Sequence, residues 1–515
     1  MPPRRDPVGI PHRTPWEGTV ITSRLSVNAD AVVAPVPPRL FGTLVEHMGR
    51  CVYGGIFDPG APSTDEAGIR TDVADLTRQL NLGAVRYPGG NFVSGYDWQE
   101  GIGPVADRTA RLDLAWRSIE PNTFGLHEFM GWTESVGAEP MLAVNLGTRG
   151  VAEAVELVEY TNISAGTRYA DLRRANGREQ PFGVKLWCLG NEMDGPWQIG
   201  HRSADEYGST AAQAAKAMKL VDPSIELVIC GSSHDKMPTF GAWERTVLGH
   251  AFDDIDYISL HRYFEKVGDD RVGYLASGLG MDSFIQTVVD ICDEVAAEKG
   301  SDRKIKLSFD EWNVEIRVQD PEHDWAVAPR LSEDVHSAED AVVIGGLLIS
   351  LLRHSDRVGV ACFAQLVNVM ALIRSETGVA WRQPSFYPFA LTSRHAKGEV
   401  LRVAVESSER AASATRGEID PVDAVVTRDP GDGSLTVFAI NRGIAESAQL
   451  EAAIPVGLRV VEHVVLGGED PDATNSAEHP DRVAPRASSE HVVQTDRLRA
   501  VLPAASWTMI RLASD

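Results

Sequence analysis

Basic residues and cysteines are both scarce in this chain. Its 515 residues include 49 Lys plus Arg against 73 Asp plus Glu, a formal net charge of −24. Phosphate backbones and anionic lipid surfaces attract basic faces, so we expect neither a nucleic acid nor a membrane as a partner. The five cysteines are widely spaced, with no Cys-x-x-Cys pair and no histidine cluster at zinc spacing, so we predict buried thiols in a reducing compartment.

Long apolar runs are absent as well. The longest, residues 341–352, is shorter than the roughly 20 residues that a membrane-spanning helix needs, and it predicts a buried helix. The N-terminal stretch lacks the apolar core of a secretory signal, so we expect a cytoplasmic protein. The sequence also lacks a repeat with a period of about 20 to 50 residues, which disfavours a solenoid or a propeller.

Short apolar and β-branched runs alternate with segments of helical periodicity. Ser203 and Ser337 begin capping-box patterns ahead of two such helices. Apolar strands that alternate with helices predict an α/β fold with a parallel sheet, most simply a (β/α)8 barrel, with a doubly wound open sheet as the alternative. The eight candidate strands are residues 40–45, 83–86, 141–145, 184–189, 226–230, 256–260, 305–309 and 360–366.

The pattern changes near residue 395. Beyond it, runs such as 434–441, 449–454, 460–466 and 498–512 are separated by Gly, Pro, Asp and Asn, which predicts an all-β sandwich. We therefore divide the chain into a flexible N-terminal extension (1–18), a strand segment that joins the sandwich (19–38), the catalytic barrel (39–394) and the C-terminal β-sandwich (395–515).

Polar residues follow the predicted strands, where the chemistry of a parallel barrel resides. Carboxylates, amides, His and Tyr predominate there, with Arg86 as the one prominent cation and no glycine-rich phosphate loop. Such a rim suits a neutral, polyhydroxylated ligand. The residues after the strands include Glu46, His47, Arg86, Asn91, Asn145, Asn191, Glu192, Ser232, His261, Tyr263, Asp310, Glu311, Gln365 and Asn368.

Two of these glutamates suggest a reaction. Glu192 and Glu311 end the fourth and seventh strands, which lie nearly opposite each other in an eight-stranded ring. Glycoside cleavage needs one carboxylic acid to protonate the departing oxygen and one carboxylate to attack or assist at the anomeric carbon. A separation of about 5–5.5 Å would indicate retention of configuration, and about 6.5–9.5 Å would indicate inversion.

Six segments resemble one known family. FGTLVEHMGRCVYGGIFDP, VRYPGGNFVSGYDW, WCLGNEMDGPWQIGH, ISLHRYF, LSFDEWNV and AQLVNV, which lie between about residues 40 and 388, are similar to glycoside hydrolase family 51, the α-L-arabinofuranosidases. The GNE motif alone is shared by a larger clan of retaining barrels. Its combination with PGGNFVSGY and SFDEWNV is far more specific.

The resemblance implies roles for the matching residues. Glu192 would be the general acid/base and Glu311 the nucleophile, with Arg86 helping to keep Glu311 ionised. The residues implied to bind the sugar or to orient the nucleophile are Glu46, Asn91, Trp116, Asn191, His261, Tyr263 and Gln365. No metal or other cofactor is implied. The resemblance also implies a jelly-roll domain that takes in the N-terminal strand, and a hexamer.

The expected activity is that of an exo-acting retaining α-L-arabinofuranosidase. It would release terminal non-reducing α-L-arabinofuranosyl groups from arabinan- or arabinoxylan-derived oligosaccharides by double displacement, with a bell-shaped pH profile. A β-xylosidase or an endoglucanase with the same mechanism is the enzymatic alternative. A non-catalytic sugar-binding protein is the alternative of another class, and it would gain nothing from two opposed acids. Taken singly, Glu192 or Glu311 could be a solvated carboxylate, and Asn91 or Asn191 a turn residue.

Overall fold

The computed structural model describes residues 21–316, 320, 322–468 and 470–514, so the predicted extension 1–18 lies outside the described residues. The strands in chain order are β1 (Ile21–Pro35), β2 (Gly42–Leu44), β3 (Ala84–Tyr87), β4 (Arg111–Asp113), β5 (Ser118–Glu120), β6 (Glu139–Ala143), β7 (Leu186–Leu189), β8 (Glu226–Ile229), β9 (Tyr257–Phe264), β10 (Lys306–Val314), β11 (Val358–Phe363), β12 (Ile373–Glu376), β13 (Val379–Arg382), β14 (Glu399–Ser407), β15 (Ala411–Ser413), β16 (Gly417–Ile419), β17 (Val422–Arg428), β18 (Leu435–Asn441), β19 (Ala448–Ala453), β20 (Arg459–Gly467), β21 (Arg486–Ala487), β22 (His491–Gln494), β23 (Arg497–Leu502) and β24 (Ser506–Ala513). The α-helices are α1 (Thr71–Gln79), α2 (Leu126–Val136), α3 (Val151–Asn162), α4 (Arg168–Ala175), α5 (Ala204–Val221), α6 (Ala242–Ala251), α7 (Arg271–Leu275), α8 (Ser277–Glu298), α9 (Ala338–Arg353) and α10 (Phe386–His395).

Eight parallel strands close into a barrel in the order β2, β3, β6, β7, β8, β9, β10 and β11. This confirms the predicted (β/α)8 fold and all eight predicted strands. The capping boxes at Ser203 and Ser337 are also confirmed, at the starts of α5 and α9. The barrel is a packed core, so its chemistry is confined to the carboxyl ends of the strands.

Strands β9 and β10 run several residues further than predicted. Their polar ends remain in the ladder, where Glu311 is paired with His261. The register shifts between Ser308 and Glu311, a bulge-like irregularity that aims both Asp310 and Glu311 at the same cation, Arg86. Both predicted strands stopped where the apolar run gives way to polar residues, whereas the ladder continues through 261–264 and 310–314.

The C-terminal region forms one ten-stranded sheet in the order β21, β20, β24, β18, β17, β14, β1, β19, β23 and β22. The N-terminal strand β1 lies inside it, antiparallel to β14 and parallel to β19, as predicted. The apolar run 498–512 is two strands rather than one, because β23 ends before Pro503 and β24 begins at Ser506. The predicted domain boundaries at 38/39 and 394/395 stay a prediction.

Helix α9 packs against this sheet and contains the whole of the longest apolar run, residues 341–352. Its side chains from Ala338 to Leu352 are buried, which confirms the predicted buried helix. A methyl group at Gly345 would lie 2.2 Å from Trp507 Cδ1, so glycine is required for the close approach of α9 to β24. No helix in the described part of the chain is long and apolar enough to cross a membrane.

A pair of facing histidines connects β20, next to one edge of the sheet, with β22 at the other edge, and we expect this pair to destabilise the fold in acid. His463 Nδ1 lies 3.1 Å from His491 Nδ1. Burial, together with His491, lowers the pKa of His463 to about 4, whereas an unfolded histidine has a pKa of about 6.5. Between these values only the unfolded chain takes up the proton, so stability falls as the pH falls. Urea unfolding of wild type at pH 7 and pH 5 should show this loss.

His463→Gln should remove about 1–2 kcal/mol of that acid-dependent loss. His479→Gln, at an exposed histidine, is the matched control and should keep the full loss. An unchanged pH dependence in His463→Gln would contradict the role of the pair.

Candidate active site

A cavity of about 230 Å³ opens at the carboxyl end of the barrel. Seven of the ten predicted site residues line it. They are Glu46, Asn91, Trp116, Glu192, Tyr263, Glu311 and Gln365. Arg86, Asn191 and His261 lie behind this lining and are almost fully buried. Arg86 contacts Glu311 and His261 contacts Glu192, whereas Asn191 donates to Asn91 at 3.3 Å. The lining also includes Met48, Gly90, Glu315, Ser332 and Met370, which the sequence did not assign to a site.

Glu311 projects into the cavity from β10, and each of its two carboxylate oxygens accepts a hydrogen bond. Arg86 Nη1 donates to its Oε1 at 2.7 Å, and the hydroxyl of Tyr263 donates to its Oε2 at 2.9 Å. The side chain is only 8% exposed. A carboxylate held by a guanidinium and a phenol has one fixed orientation, which suits a nucleophile.

Glu192 lies in the turn that follows β7. Its φ of +43° is in the left-handed region, which is uncommon for a residue with a side chain and is concentrated at functional sites. The indole N–H of Trp197 donates to Oε2 at 2.6 Å, and His261 Nδ1 lies 2.9 Å from Oε1. Trp197 is 48% exposed, whereas the side chain of Glu192 is 12% exposed.

The two glutamates are close together. One oxygen of Glu192, one oxygen of Glu311 and one ring nitrogen of His261 all lie within 4.8 Å of one another. Such a set of donors could hold a metal ion, but in this structure each group makes hydrogen bonds or ion pairs with the protein. The expectation of a metal-free site stays a prediction.

Asp310 lies beneath the cavity as a buried carboxylate. The sequence placed it after a predicted strand but gave it no role. Its carboxylate lies 3.3 Å from Arg86 Nε and 3.4 Å from His261 Nε2, and it is 1% exposed. Burial would raise its pKa, but Arg86 and His261 hold it below the usual range. Burial would lower the pKa of His261, but Glu311, Asp310 and Glu192 raise it to about 10. His261 is therefore an imidazolium at neutral pH.

Glu46 also lines the cavity, and its buried carboxyl group is surrounded by hydrogen-bond donors. It accepts hydrogen bonds from Phe92 N at 3.0 Å, Trp116 Nε1 at 3.1 Å and Gln365 Nε2 at 3.1 Å. Burial and the charge of Glu311 raise its pKa to about 8. Glu46 is thus largely protonated at neutral pH, and its Oε2 reaches the cavity as a group that can exchange hydrogen bonds with hydroxyls.

Two glycines let the loop after β3 approach both carboxylates. At Gly89, where φ is +147°, an added Cβ would lie 2.3 Å from Glu46 Cγ. At Gly90 it would lie 3.0 Å from Glu311 Oε1 and 3.1 Å from Glu46 Oε2. The PGG segment therefore shapes the cavity through the absence of side chains.

We expect Gly90→Ala to lower kcat/KM by roughly 100-fold, because its methyl group displaces the reacting carboxylate or the substrate by a fraction of an ångström. Steady-state kinetics with a chromogenic substrate measures this. Gly131→Ala is the matched control, because a methyl group there meets nothing within 4 Å. Wild-type kinetics in Gly90→Ala would contradict this account of the loop.

Gln198 is another contact outside the predicted set. Its Nε2 donates to Ser94 Oγ and to the backbone oxygen of Asn91, and its Oε1 accepts from Asn191 at 3.4 Å. Asn191 Oδ1 in turn accepts from Arg86 Nη2 at 2.7 Å. Gln198 thus ties the loop after β7 to the loop after β3. The one sequence feature that could have predicted a role for Gln198 is its position at the end of the DGPWQ motif.

Comparisons with known proteins match both the barrel and the C-terminal region of this chain to α-L-arabinofuranosidases. Residues 76–271 match the family model "Alpha-L-arabinofuranosidase 1 domain", and residues 310–506 match "Alpha-L-arabinofuranosidase C-terminal domain". A Streptomyces lividans protein named "Intracellular exo-alpha-(1->5)-L-arabinofuranosidase" is 52% identical over 96% of this chain and 75% of its own length. A Bifidobacterium longum protein named "Exo-alpha-(1->6)-L-arabinofuranosidase" is 48% identical over 96% of this chain and 98% of its own length.

Among solved structures, a family 51 α-L-arabinofuranosidase from Bifidobacterium longum superposes with a TM-score of 0.92 at 44% identity, covering 96% of this chain and 100% of that chain. The barrel, the opposed carboxylates and these relatives together define a glycoside hydrolase. Within that class, the chain belongs to family 51, the α-L-arabinofuranosidases. The predicted resemblance is confirmed.

Proposed function

We propose that this protein is an exo-acting retaining α-L-arabinofuranosidase that releases terminal non-reducing α-L-arabinofuranosyl groups from arabinan- or arabinoxylan-derived oligosaccharides. The observation that carries the proposal is the pair Glu192 and Glu311, whose nearest oxygens lie within 4.8 Å across one cavity. Inverting enzymes need a wider gap of about 6.5–9.5 Å, because a water molecule must fit between carboxylate and sugar.

In the first step Glu311 attacks the anomeric carbon and the glycosidic C–O bond breaks. Glu192 gives its proton to the leaving oxygen, so a neutral alcohol departs and an arabinosyl ester of Glu311 remains. In the second step Glu192 takes a proton from water, whose oxygen attacks the same carbon and releases Glu311. Two inversions leave the configuration of the sugar unchanged.

The charged neighbours fit these roles. Arg86 and Tyr263 donate hydrogen bonds to Glu311 and orient it for attack. The imidazolium of His261, 2.9 Å from Glu192, stabilises the carboxylate that forms when Glu192 gives up its proton. Protonated Glu46, together with Asn91, Gln365 and Trp116, supplies hydrogen bonds and a wall for the furanose. We assign Asn191 and His261 as sugar contacts as well, although both lie behind the cavity lining.

The other readings have less support. A β-xylosidase or an endoglucanase would use the same carboxylates, but the relatives above that cover nearly the whole chain are named arabinofuranosidases. A non-catalytic binding protein would not need Glu192 and Glu311 opposed across the anomeric centre. The word "intracellular" in the name of the Streptomyces relative supports a cytoplasmic location, and the family resemblance supports a hexamer.

Hydrolysis of 4-nitrophenyl α-L-arabinofuranoside beside the β-D-xyloside tests the proposal. We expect the arabinoside to be the better substrate and its kcat/KM to follow a bell-shaped pH profile. Proton NMR of the first product formed in water should show α-L-arabinofuranose before mutarotation. Formation of the β anomer first would rule out double displacement, and a flat profile between pH 4 and pH 9 would rule out the acid–base pair.

A further inference from the structure

His47 and Glu120 form a buried polar pair beside Glu46. His47 Nδ1 lies 2.7 Å from Glu120 Oε2, and the two side chains are 1% and 3% exposed. His47 directly follows Glu46 in the chain, and Glu120 ends β5. Neither residue lines the catalytic cavity, and the proposed cleavage of the arabinosyl bond uses neither.

The other polar atoms of this pair are bonded as well. Glu120 Oε1 accepts from Asn122 N at 2.7 Å and from the hydroxyl of Tyr53. Burial raises the pKa of Tyr53, and Glu120 raises it further, so the phenol keeps its proton and is the donor. His47 Nε2 lies 2.9 Å from the hydroxyl of Tyr87. A buried network in which every member has a partner holds its elements in one arrangement.

Glu120 anchors the hairpin that carries Trp116. Strands β4 and β5 pair with each other, and Trp116 lies in the turn between Asp113 and Ser118. Asp113 closes this turn by accepting from Ser118 Oγ at 2.9 Å. The turn brings the indole N–H of Trp116 to Glu46 Oε1 at 3.1 Å. Because the strands and the turn are hydrogen-bonded to each other, the contact at Glu120 sets the position of Trp116.

His47 supports the other donor to the same oxygen of Glu46. Its ring stacks on Phe92, with centroids 4.7 Å apart and an interplanar angle of 21°. Phe92 N donates to Glu46 Oε1 at 3.0 Å. The two donors to this oxygen, Phe92 N and Trp116 Nε1, are therefore linked through the contact between His47 and Glu120.

We propose that His47 and Glu120 are positioning residues for the sugar, because their contact holds Phe92 and Trp116 against Glu46. The inference rests on the proposed function, since it takes Glu46 and Trp116 to contact the arabinofuranosyl group. A buried pair of this kind is often no more stabilising than apolar residues of the same size, but its hydrogen bond is directional and fixes one approach of the hairpin. A misplaced wall weakens binding of the sugar, so the loss should appear mainly in KM.

Two substitutions of Glu120 provide the kinetic test. Glu120→Ala removes the contact, whereas Glu120→Gln keeps both hydrogen-bonding positions. We expect Glu120→Ala to raise KM for 4-nitrophenyl α-L-arabinofuranoside about tenfold, and Glu120→Gln to stay within about threefold of wild type. His354→Gln is the matched control, because His354 Nε2 lies 3.2 Å from Asp282 Oδ1 in a pair outside the cavity. It should keep the wild-type KM.

Binding without turnover separates positioning from folding. In a Glu311→Gln background, titration calorimetry gives the Kd of the same arabinoside, which should rise by the same factor when Glu120→Ala is added. An unfolding temperature that falls while KM and Kd stay at their wild-type values would assign the pair to folding alone and overturn the inference.

Hydrogen–deuterium exchange separates this inference from the proposed function, because it needs no sugar. We expect Glu120→Ala to exchange faster than wild type in residues 111–120 and at Phe92, with unchanged exchange in α9. If wild type cleaves only the β-D-xyloside but the hairpin loosens and KM for that xyloside rises, the proposed function fails and the positioning role stands. Wild-type exchange at both places would overturn the inference whichever sugar is cleaved.

Discussion

Replacing Glu311 by alanine should lower kcat on 4-nitrophenyl α-L-arabinofuranoside on the order of 10⁵-fold, because the group that forms the covalent bond is gone. The loss should be nearly the same for good and poor leaving groups, since no arabinosyl ester can form with either. Stopped-flow and overnight assays together cover this range. The variant also leaves Arg86 and the Tyr263 hydroxyl without their partner, which adds a cost to folding.

Glu311→Gln keeps the shape and both hydrogen-bonding positions, so it separates chemistry from folding. It should be as inactive as the alanine variant but unfold near the wild-type temperature. Glu339→Gln is the matched control, because Glu339 is a similarly buried carboxylate paired with Arg271 and Lys266 outside the cavity. Activity retained in Glu311→Gln beyond about 1% would overturn the nucleophile assignment.

Glu192→Ala should have a loss that depends on the leaving group. Natural alcohols need the proton and should be cleaved about 10²–10⁴-fold more slowly, whereas 4-nitrophenolate can depart without it. With the nitrophenyl substrate the arabinosyl ester on Glu311 should then accumulate, because no base activates water. Both kcat and KM should fall together, with a burst of nitrophenol in the first turnover.

Azide supplies the chemical control for Glu192→Ala. The small anion needs no general base and can enter the space left by the side chain, so it should accelerate turnover and yield α-L-arabinofuranosyl azide of retained configuration. Glu311→Ala, which forms no ester, should give no such retained product. Absence of azide rescue in Glu192→Ala, or formation of the β azide, would contradict the acid/base assignment.

The barrel and most of the cavity lining could be predicted from the sequence, because both depend on local pattern. Apolar strands that alternate with helices predict the eight-stranded barrel. A polar residue directly after a strand lies at the carboxyl end of that strand, where the site of a parallel barrel is found. Glu192 and Glu311 were therefore opposed in the prediction before any distance was known. The family resemblance already implied retention of configuration. The structure adds the separation of the two carboxylates, which the sequence does not give.

The sequence pattern could not predict the buried ion pairs that Asp310 makes beneath the cavity with Arg86 and His261. Asp310 precedes Glu311, and in a regular strand its side chain would point away from the barrel axis. The irregular register of β10 brings both carboxylates to Arg86 instead. The burial of Asn191 and His261 behind the cavity lining could not be predicted either. The sequence shows that a residue follows a strand, but not whether its side chain reaches the cavity or lies behind another residue.

The placement of β1 has a consequence for how the chain is made. The hydroxyl of Ser23 in β1 is hydrogen-bonded to the hydroxyl of Ser407 in β14, which lies 384 residues later in the sequence. During synthesis β1 leaves the ribosome first, yet it cannot enter its sheet until the whole barrel and the following strands have been translated. A chain truncated after residue 394 would keep an unpaired, half-apolar strand, which is a template for aggregation. The ten-stranded sheet is therefore complete only when strands from both sides of the barrel in the sequence have come together.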